Sequence, residues 1–232
     1  MAETVLQTET PAYDVMKNHL GEQGMALLDQ QLAVWQELNS RELESPLKNA
    51  LSHGDTTLPK GTLLHSASMH EAFDEDVLGS IASLGIISGE LTGVYEDAET
   101  HGCADFFRVA EATTIAGYMD FAGETVIKGA LRIGRGERLA KRGVTFIVDP
   151  NAEGMAGLLV NDGYTNPDMA GFVHPPNTRT AEMTAAILGG VPRGAISGAI
   201  ISPSVLKEPH LVEMMHQLFP ELPVFDQDGQ PV

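Results

Sequence analysis

A histidine beside small hydroxyl residues, near the end of a predicted strand, is the first candidate for chemistry in this chain. The segment Leu63–Ser68 has an apolar pair, then His65, then small residues that include Ser66. The pattern predicts a buried strand that ends in a turn. An imidazole at such a strand end, next to hydroxyl groups, is suited to hydrogen-bond a polar ligand.

Common catalytic and nucleotide-binding motifs are absent from the sequence. It has no Gly-x4-Gly-Lys-Ser phosphate loop, no Gly-x-Ser-x-Gly elbow and no His-Glu-x-x-His zinc motif. His65 with His70, and His101 with Cys103, have spacings that a metal could use, but no second pair joins either of them. Residues 226–229 begin like a calcium loop without its closing glutamate, so we expect a turn there and no metal site.

The segment Leu63–Ser68 resembles the first motif of ADP-ribosyltransferases of the diphtheria-toxin-like and poly(ADP-ribose) polymerase-like class. That motif is of the type Leu-Leu-His-Gly-Thr-Ser, and the apolar pair, the histidine and the last serine match. Ser66 and Ala67 stand in place of the glycine and the threonine. A helix predicted over residues 71–84 and closed by Gly85 is also similar to that class.

A second segment resembles the nicotinamide-binding part of the same family. Residues 93–95 are similar to a Gly-Ile-Tyr strand, and residues 103–106 follow where the family has a Ser-x-x-Tyr element. The resemblance implies that Cys103 takes the place of the serine that binds the nicotinamide amide. It also implies that Phe106 takes the place of the tyrosine that stacks on the nicotinamide ring. An aromatic face is kept and two hydroxyl groups are lost.

A third segment resembles the last motif of the family, in which a glutamate starts a strand and a Val-Pro turn leads into the next strand. Here Glu182 is followed by the turn at residues 191–192, and Thr180 stands where some members have Gln or Glu. The histidine, the aromatic residue and the glutamate come in the family's order. The resemblance covers roughly residues 61–202.

Together the three segments imply NAD as the substrate. Cleavage of the bond between nicotinamide and ribose develops positive charge on the ribose, which a nearby carboxylate stabilises as in glycoside cleavage. The resemblance implies that Glu182 is the electrostatic catalyst, His65 the ribose anchor and Phe106 the nicotinamide platform. The acceptor of ADP-ribose would be an unknown protein or small molecule, or water in an NAD glycohydrolase. The other residues of the implied NAD site are Ser66, Ser68, Tyr95 and Cys103.

Each of the three main residues also has a structural explanation. His65 would be a hydrogen-bonded structural histidine, Phe106 a core residue of an apolar helix, and Glu182 half of a surface ion pair with Arg179, which is worth little energy. The alternative function is therefore a non-enzymatic binding or interaction module on the same scaffold, a degenerate transferase. A hydrolase acting on another nucleotide or glycoside is a third hypothesis.

The elements that must position these residues begin with helices. Residues 13–38 have apolar residues at helical spacing, and Gly21 and Gly24 predict a division into a short and a longer helix. Trp35 is expected to dock the longer helix on the main domain, and the alternative is an oligomer contact. Residues 41–60 are predicted to be a connector with a helical turn at 44–51, so we divide the chain into a tail and helical extension at 1–55 and a main domain at 56–232.

The main domain mixes strands and helices without regular alternation, which favours an α+β fold over a doubly wound sheet. The resemblance implies that this fold is the split β-sheet core of the ADP-ribosyltransferases. The loop at 161–180 is long enough to be functional. Strands are predicted at 61–68, 91–96, 125–133, 144–148, 181–188, 195–202 and 222–225, and helices at 71–84, 104–119 and 205–218.

Composition and charge argue against several partners. The net charge of −18 over 232 residues repels phosphate backbones and anionic lipids, so nucleic acid is a poor partner. Six of the 14 basic residues lie between 128 and 142, and this patch faces either the chain's own carboxylates or a diphosphate or acidic partner. One cysteine, no secretory signal and no apolar run of membrane-spanning length indicate a soluble, cytoplasmic protein.

Overall fold

A computed structural model of the chain describes residues 11–59, 61–68, 75–87, 104–109, 113–114, 143–158, 160–161, 184–188 and 190–232. The α-helices in these ranges are α1 (Pro11–Asn39), α2 (Pro46–Ser52), α3 (Glu75–Leu84), α4 (Pro203–Leu206) and α5 (Pro209–Leu218), and short 3-10 helices lie at Met155–Gly157 and Arg193–Ala195. The strands are β1 (Thr57–Leu58), β2 (Leu63–Ser68), β3 (Ile86–Ile87), β4 (Ala104–Val109), β5 (Thr113–Thr114), β6 (Gly143–Val148), β7 (Val160–Asn161), β8 (Thr184–Leu188), β9 (Gly190–Val191), β10 (Ile196–Ile201) and β11 (Val224–Phe225).

The described strands form a seven-stranded sheet in the order β11-β10-β6-β2-β4-β8-β7. β10 and β11 are parallel, and every other neighbouring pair in this sheet is antiparallel. β2 lies in the middle and pairs with β6 along its whole length. The short pairs β1–β5 and β3–β9 lie outside this sheet. Mixed helices and a largely antiparallel sheet confirm the α+β class.

The main hydrophobic core lies between one face of this sheet and the helices. Phe146 of β6 is fully buried there and packs on Phe219, with 5.5 Å between the ring centroids. Trp35 of α1, Leu78 of α3 and Met215 of α5 belong to the same buried cluster. Burial of a large apolar side chain contributes about 2 kcal/mol, so such a cluster holds three helices on the sheet.

The other face of the sheet is covered in part by α2. Ile147, out of phase with Phe146, is fully buried on this face. Leu51 of α2 packs here, and a Cβ atom on Gly198 of β10 would lie 3.0 Å from Leu51 Cδ1. The absence of a side chain at Gly198 therefore lets the helix approach the strand closely.

The N-terminal helix confirms one prediction and corrects another. Trp35 is buried in the main core, so it docks α1 on the sheet as expected. The predicted division at Gly21 and Gly24 is wrong, because α1 is one continuous helix through both glycines. A glycine costs only about 1 kcal/mol relative to alanine inside a helix. Burial of residues such as Leu28 and Trp35 outweighs that cost.

The predicted helical turn after α1 is the helix α2, and a buried carboxylate ties it to the sheet. Asp149, just after β6, accepts hydrogen bonds from the Ser45 hydroxyl at 2.9 Å and from the Leu47 amide at 3.0 Å. Ser45 also lies 2.8 Å from the hydroxyl of Ser197 and caps Lys48 N at the start of α2. The proposed division between 1–55 and 56–232 stays a prediction, but residues 45–51 pack directly on the main sheet.

The predicted helix over 104–119 is wrong at its start, because residues 104–109 form the strand β4. The segment has Phe106, Phe107 and Val109, which suit a pleated surface better than a helix. β4 pairs with β2 on one side and with β8 on the other. Pairing on both sides decides the conformation where the local pattern favours neither state clearly.

The predicted helix over 205–218 is divided in two, as α4 and α5. Pro209 is the reason, because it has no amide hydrogen to donate and disfavours the helical conformation of the preceding Glu208. Each of the two helices begins with a proline, which is tolerated in a first turn.

Other predictions are confirmed at the level of elements. The strands around residues 61–68, 181–188, 195–202 and 222–225 appear as the shorter β2, β8, β10 and β11, and the strand at 144–148 appears as β6, which begins one residue earlier. The predicted turn at 226–229 is present, with the Asp226 carboxylate accepting from the amides of Asp228 and Gln230. The predicted strands at 91–96 and 125–133, the basic patch at 128–142 and nearly all of the loop at 161–180 lie outside the described residues.

None of the helices that the structure describes is long and apolar enough to cross a membrane.

Candidate functional site

The candidate site is centred on β2, which carries the histidine motif in the middle of the sheet. His65 is half-buried, stands opposite Phe146 of β6 and interacts with at least one other group of the protein. Residues that face each other in an antiparallel pair share a face of the sheet. His65 therefore lies on the face that carries the main core and the helices.

Ser66 lies on the opposite face from His65. It stands opposite Thr145 of β6, and the two hydroxyl oxygens are 2.9 Å apart. Ser66 is half-buried while Thr145 is buried. Ser68 ends the strand, with Gly143 of β6 opposite its backbone. The strand thus offers one polar group to each face of the sheet within two adjacent residues.

β4 carries Phe106 next to this strand. The register pairs Leu64 of β2 with Arg108 of β4, so Phe106 is in phase with Ser66, and its neighbour Phe107 is in phase with His65. Residues out of phase in a pleated sheet belong to opposite faces. The register therefore brings Phe106 into phase with Ser66 and out of phase with His65.

β8 brings the third motif to the same part of the sheet. It pairs with β4, with Phe106 opposite Ala186. Glu182 precedes the first residue of β8 by two positions in the sequence and itself lies outside the described residues. Tyr95 and Cys103 also lie outside them. The strands that carry or follow the three motifs are therefore adjacent, in the order β2-β4-β8.

The pairing of β3 with β9 connects the helix that follows the first motif to the turn that follows the third motif. Gly85 ends α3 with φ of 84°, and its amide donates to Ile81 O at 2.9 Å, which confirms the predicted left-handed cap. Directly after it, β3 pairs with β9, with Ile86 opposite Val191. The helix that follows the histidine strand thus ends against the Val-Pro turn that follows the glutamate strand.

Sequence reasoning did not find Thr145 as the partner of Ser66. The available signal was its polarity, because Thr145 is the single hydroxyl residue in the run from Val144 to Val148. It also missed Asp149, whose two partners from the helical extension lie about a hundred residues earlier in the chain. A sequence pattern does not reveal pairs of such separation.

Two exposed carboxyl groups among the described residues have lowered pKa values. The Thr57 amide donates to Asp55 and lowers the pKa of that carboxyl below its ordinary value. The Arg41 guanidinium lowers the pKa of the exposed Glu153 carboxyl in the same way. Among the residues that the structure describes, no group of three or more His, Cys, Asp and Glu side chains is arranged to hold a metal ion.

An open pocket of about 620 Å³ lies between α4, α5 and the last residue of the chain. Leu206, Val212 and Val232 give it apolar walls, and Glu213 and His216 of α5 stand at its side. No residue of the predicted NAD site lines this pocket.

Comparison with known proteins found no protein-family model, no curated protein and no solved structure that matches the chain.

Proposed function

We propose that this chain is an NAD-dependent ADP-ribosyltransferase, or an NAD glycohydrolase, built on an ADP-ribosyltransferase-like split β-sheet. The observation that carries the proposal is the adjacency of β2, β4 and β8. Three segments that resemble one family's motifs are far apart in the sequence, yet each belongs to, or directly precedes, one of three neighbouring strands. Adjacent strands are what a single ligand site built from these segments requires.

The proposed chemistry assigns a role to each motif. Glu182 stabilises the positive charge that develops on the ribose as the bond to nicotinamide breaks. Phe106 holds the nicotinamide ring by stacking, and His65 hydrogen-bonds the adenosine-side ribose. The acceptor, an unidentified protein or small molecule or water, then takes the ADP-ribose. The pairing of β3 with β9 supports this arrangement, because it holds the ends of the first and third motif segments against each other.

A second candidate function is a binding module that has lost transferase activity. It is favoured by the residues that stand at two positions of the motif, Cys103 and Phe106, because each replaces a residue with a hydroxyl group. A pocket without these polar contacts binds nicotinamide less tightly. The acidic surface and the basic patch would then serve contacts with a protein partner.

The deciding experiment measures nicotinamide release from NAD by the full chain. If the proposal is right, the wild-type chain turns over NAD, and Glu182→Gln lowers the rate at least about a hundredfold, as loss of an electrostatic catalyst does. Glu221→Gln is the matched control, because Glu221 is exposed in the turn after α5. The melting temperatures of both variants should stay at the wild-type value.

Two other outcomes of this experiment would contradict catalysis by the chain. If NAD is neither cleaved nor raises the melting temperature of the wild-type chain at millimolar concentration, the enzyme proposal is wrong and the binding module takes its place. If NAD raises the melting temperature and is not cleaved, the site binds NAD without catalysis.

A further inference from the structure

The paired hydroxyl groups of Ser66 and Thr145 are the most specific polar feature of the candidate site. They lie 2.9 Å apart across β2 and β6. Thr145 is only 4% exposed, and the other residues from Val144 to Val148 are apolar and buried as well. A buried hydroxyl group must have a hydrogen-bond partner, and Ser66 provides it.

The burial of Thr145 decides which of the two hydroxyl groups donates. Among the residues that the structure describes, the Thr145 hydroxyl has a single hydrogen-bond partner, Ser66 Oγ. If Thr145 only accepted, its own buried proton would have no acceptor among the residues that the structure describes, which is unfavourable. Thr145 therefore donates to Ser66, and the Ser66 proton is free to be donated to another acceptor.

We propose that Ser66 donates this proton to an oxygen of bound NAD and that Thr145 is the residue that positions it. The inference rests on the proposed function, because NAD is the ligand. The ribose hydroxyls and the diphosphate of NAD all offer acceptor oxygens, and a hydroxyl that accepts one hydrogen bond is a stronger donor of the next. Ser66 also shares its register phase with Phe106, the proposed nicotinamide platform.

The resemblance to the family does not itself imply this contact. The related motif has a glycine at the position of Ser66, and glycine has no side chain to donate. The pair Ser66–Thr145 therefore adds a side-chain contact that the resemblance itself does not supply, and it offers a polar group where two other hydroxyls of the motif are lost at Cys103 and Phe106.

Calorimetric titration of the full chain with NAD tests the inference in four variants. Ser66→Ala and Thr145→Val should each weaken NAD binding about fivefold to tenfold, the effect of one hydrogen bond. Thr145→Ser keeps the hydroxyl and should bind like the wild type. The double variant should bind no more weakly than Ser66→Ala alone, because Thr145 acts through Ser66.

A matched control separates positioning from general damage. Thr62 is also a buried threonine, and its hydroxyl donates to Pro59 O at 2.7 Å, away from Ser66. Thr62→Val should leave NAD binding unchanged. Melting temperatures and circular dichroism spectra establish that each variant is folded.

Three results would overturn the inference. If the wild type binds NAD and Thr145→Val binds it equally well, Thr145 has no positioning role, while the proposed function stands. If Thr145→Val weakens NAD binding by the same factor in the Ser66→Ala variant as in the wild type, Thr145 does not act through Ser66. If the wild type does not bind NAD at all, the proposed function itself fails and this role of Ser66 fails with it.

Discussion

Gly85 lies directly against the backbone of Val191. A Cβ atom at Gly85 would overlap the Val191 carbonyl oxygen, and it would lie 2.7 Å from the amide nitrogen of Arg193. Gly85 also has a φ of 84°, which other residues adopt only with strain. The end of α3 and the Val-Pro turn can therefore meet only if residue 85 has no side chain.

Gly85→Ala should consequently destabilise the protein strongly. The left-handed conformation costs alanine about 1–2 kcal/mol, and displacement of the Val191 segment adds a cost of similar size, as overpacking does. We expect a loss of roughly 3 kcal/mol in the free energy of unfolding, measured by urea denaturation.

Substitutions at two other glycines separate the cost of the left-handed conformation from the cost of the contact with Val191. Gly54 has φ of 86° and no atom within 4 Å of its Cβ position, so Gly54→Ala should cost only the strain of about 1–2 kcal/mol. Gly79 lies inside α3 with open space at its Cβ position, so Gly79→Ala should stabilise by about 0.5–1 kcal/mol. Equal effects at Gly85 and Gly54 would show that the contact with Val191 costs nothing.

The buried carboxylate of Asp149 should contribute more to the free energy of unfolding than the hydroxyl groups around it. Asp149→Ala leaves the amides of Leu47 and Asn151 without their carboxylate acceptor and breaks the hydrogen bond from Ser45, so we expect a loss of about 2–3 kcal/mol by urea denaturation. Ser45→Ala removes the cap of α2 and should cost about 1 kcal/mol. Ser52→Ala, at an exposed site on α2, is the control and should change little.

A double variant tests whether Asp149 and Ser45 act together. Because they share a hydrogen bond, the combined loss should be smaller than the two single losses added, by at least about 0.5 kcal/mol. Additive losses would mean that the connector and the main sheet are held by separate contacts.

Local patterns predicted the elements that have strong periodicity and clear ends. β6 and β10 are largely apolar runs with turn residues beside them, and the cap at Gly85 follows from the type of residue. The conformation of β4 was not clear from its local pattern, because residues 104–109 mix strand-favouring Phe and Val with Ala and Arg, and pairing with β2 and β8 decides between the two states. The division by Pro209 follows from the sequence, because proline disfavours a helical conformation at the residue before it.

The candidate site was predictable only as separate segments. The motif at His65 can be located from residue types, but its partner strand cannot. The contact between Ser66 and Thr145 joins residues 79 positions apart. The opposite phases of His65 and Phe106 depend on the register of β2 with β4, which no single segment contains. Register is fixed by tertiary pairing and therefore lies beyond sequence reasoning.

The ion pair between Arg41 and Glu153 should be visible in the titration of Glu153. Arg41 lowers the pKa of the Glu153 carboxyl in the folded protein. The pair therefore stabilises the folded protein at pH values above the ordinary pKa of a glutamate, and this stabilisation is lost as the pH falls through the lowered pKa of Glu153. Arg41→Gln should raise the pKa of Glu153 towards its ordinary value, measured by carbon NMR of the carboxyl group. High salt should reduce the difference, because both side chains are exposed. An unchanged pKa in Arg41→Gln would contradict the pair.

The choice between Phe106 and Phe107 tests which face of the sheet holds the nicotinamide. Phe106→Leu removes the proposed stacking platform but keeps an apolar side chain, so NAD binding should weaken about tenfold, within the range of an aromatic contact. Phe107→Leu is the matched control, because Phe107 is the neighbouring residue in phase with His65. It should bind NAD like the wild type. If Phe107→Leu weakens binding and Phe106→Leu does not, the platform belongs to the His65 face and the assignment of Phe106 is wrong. Calorimetric titration with NAD measures both.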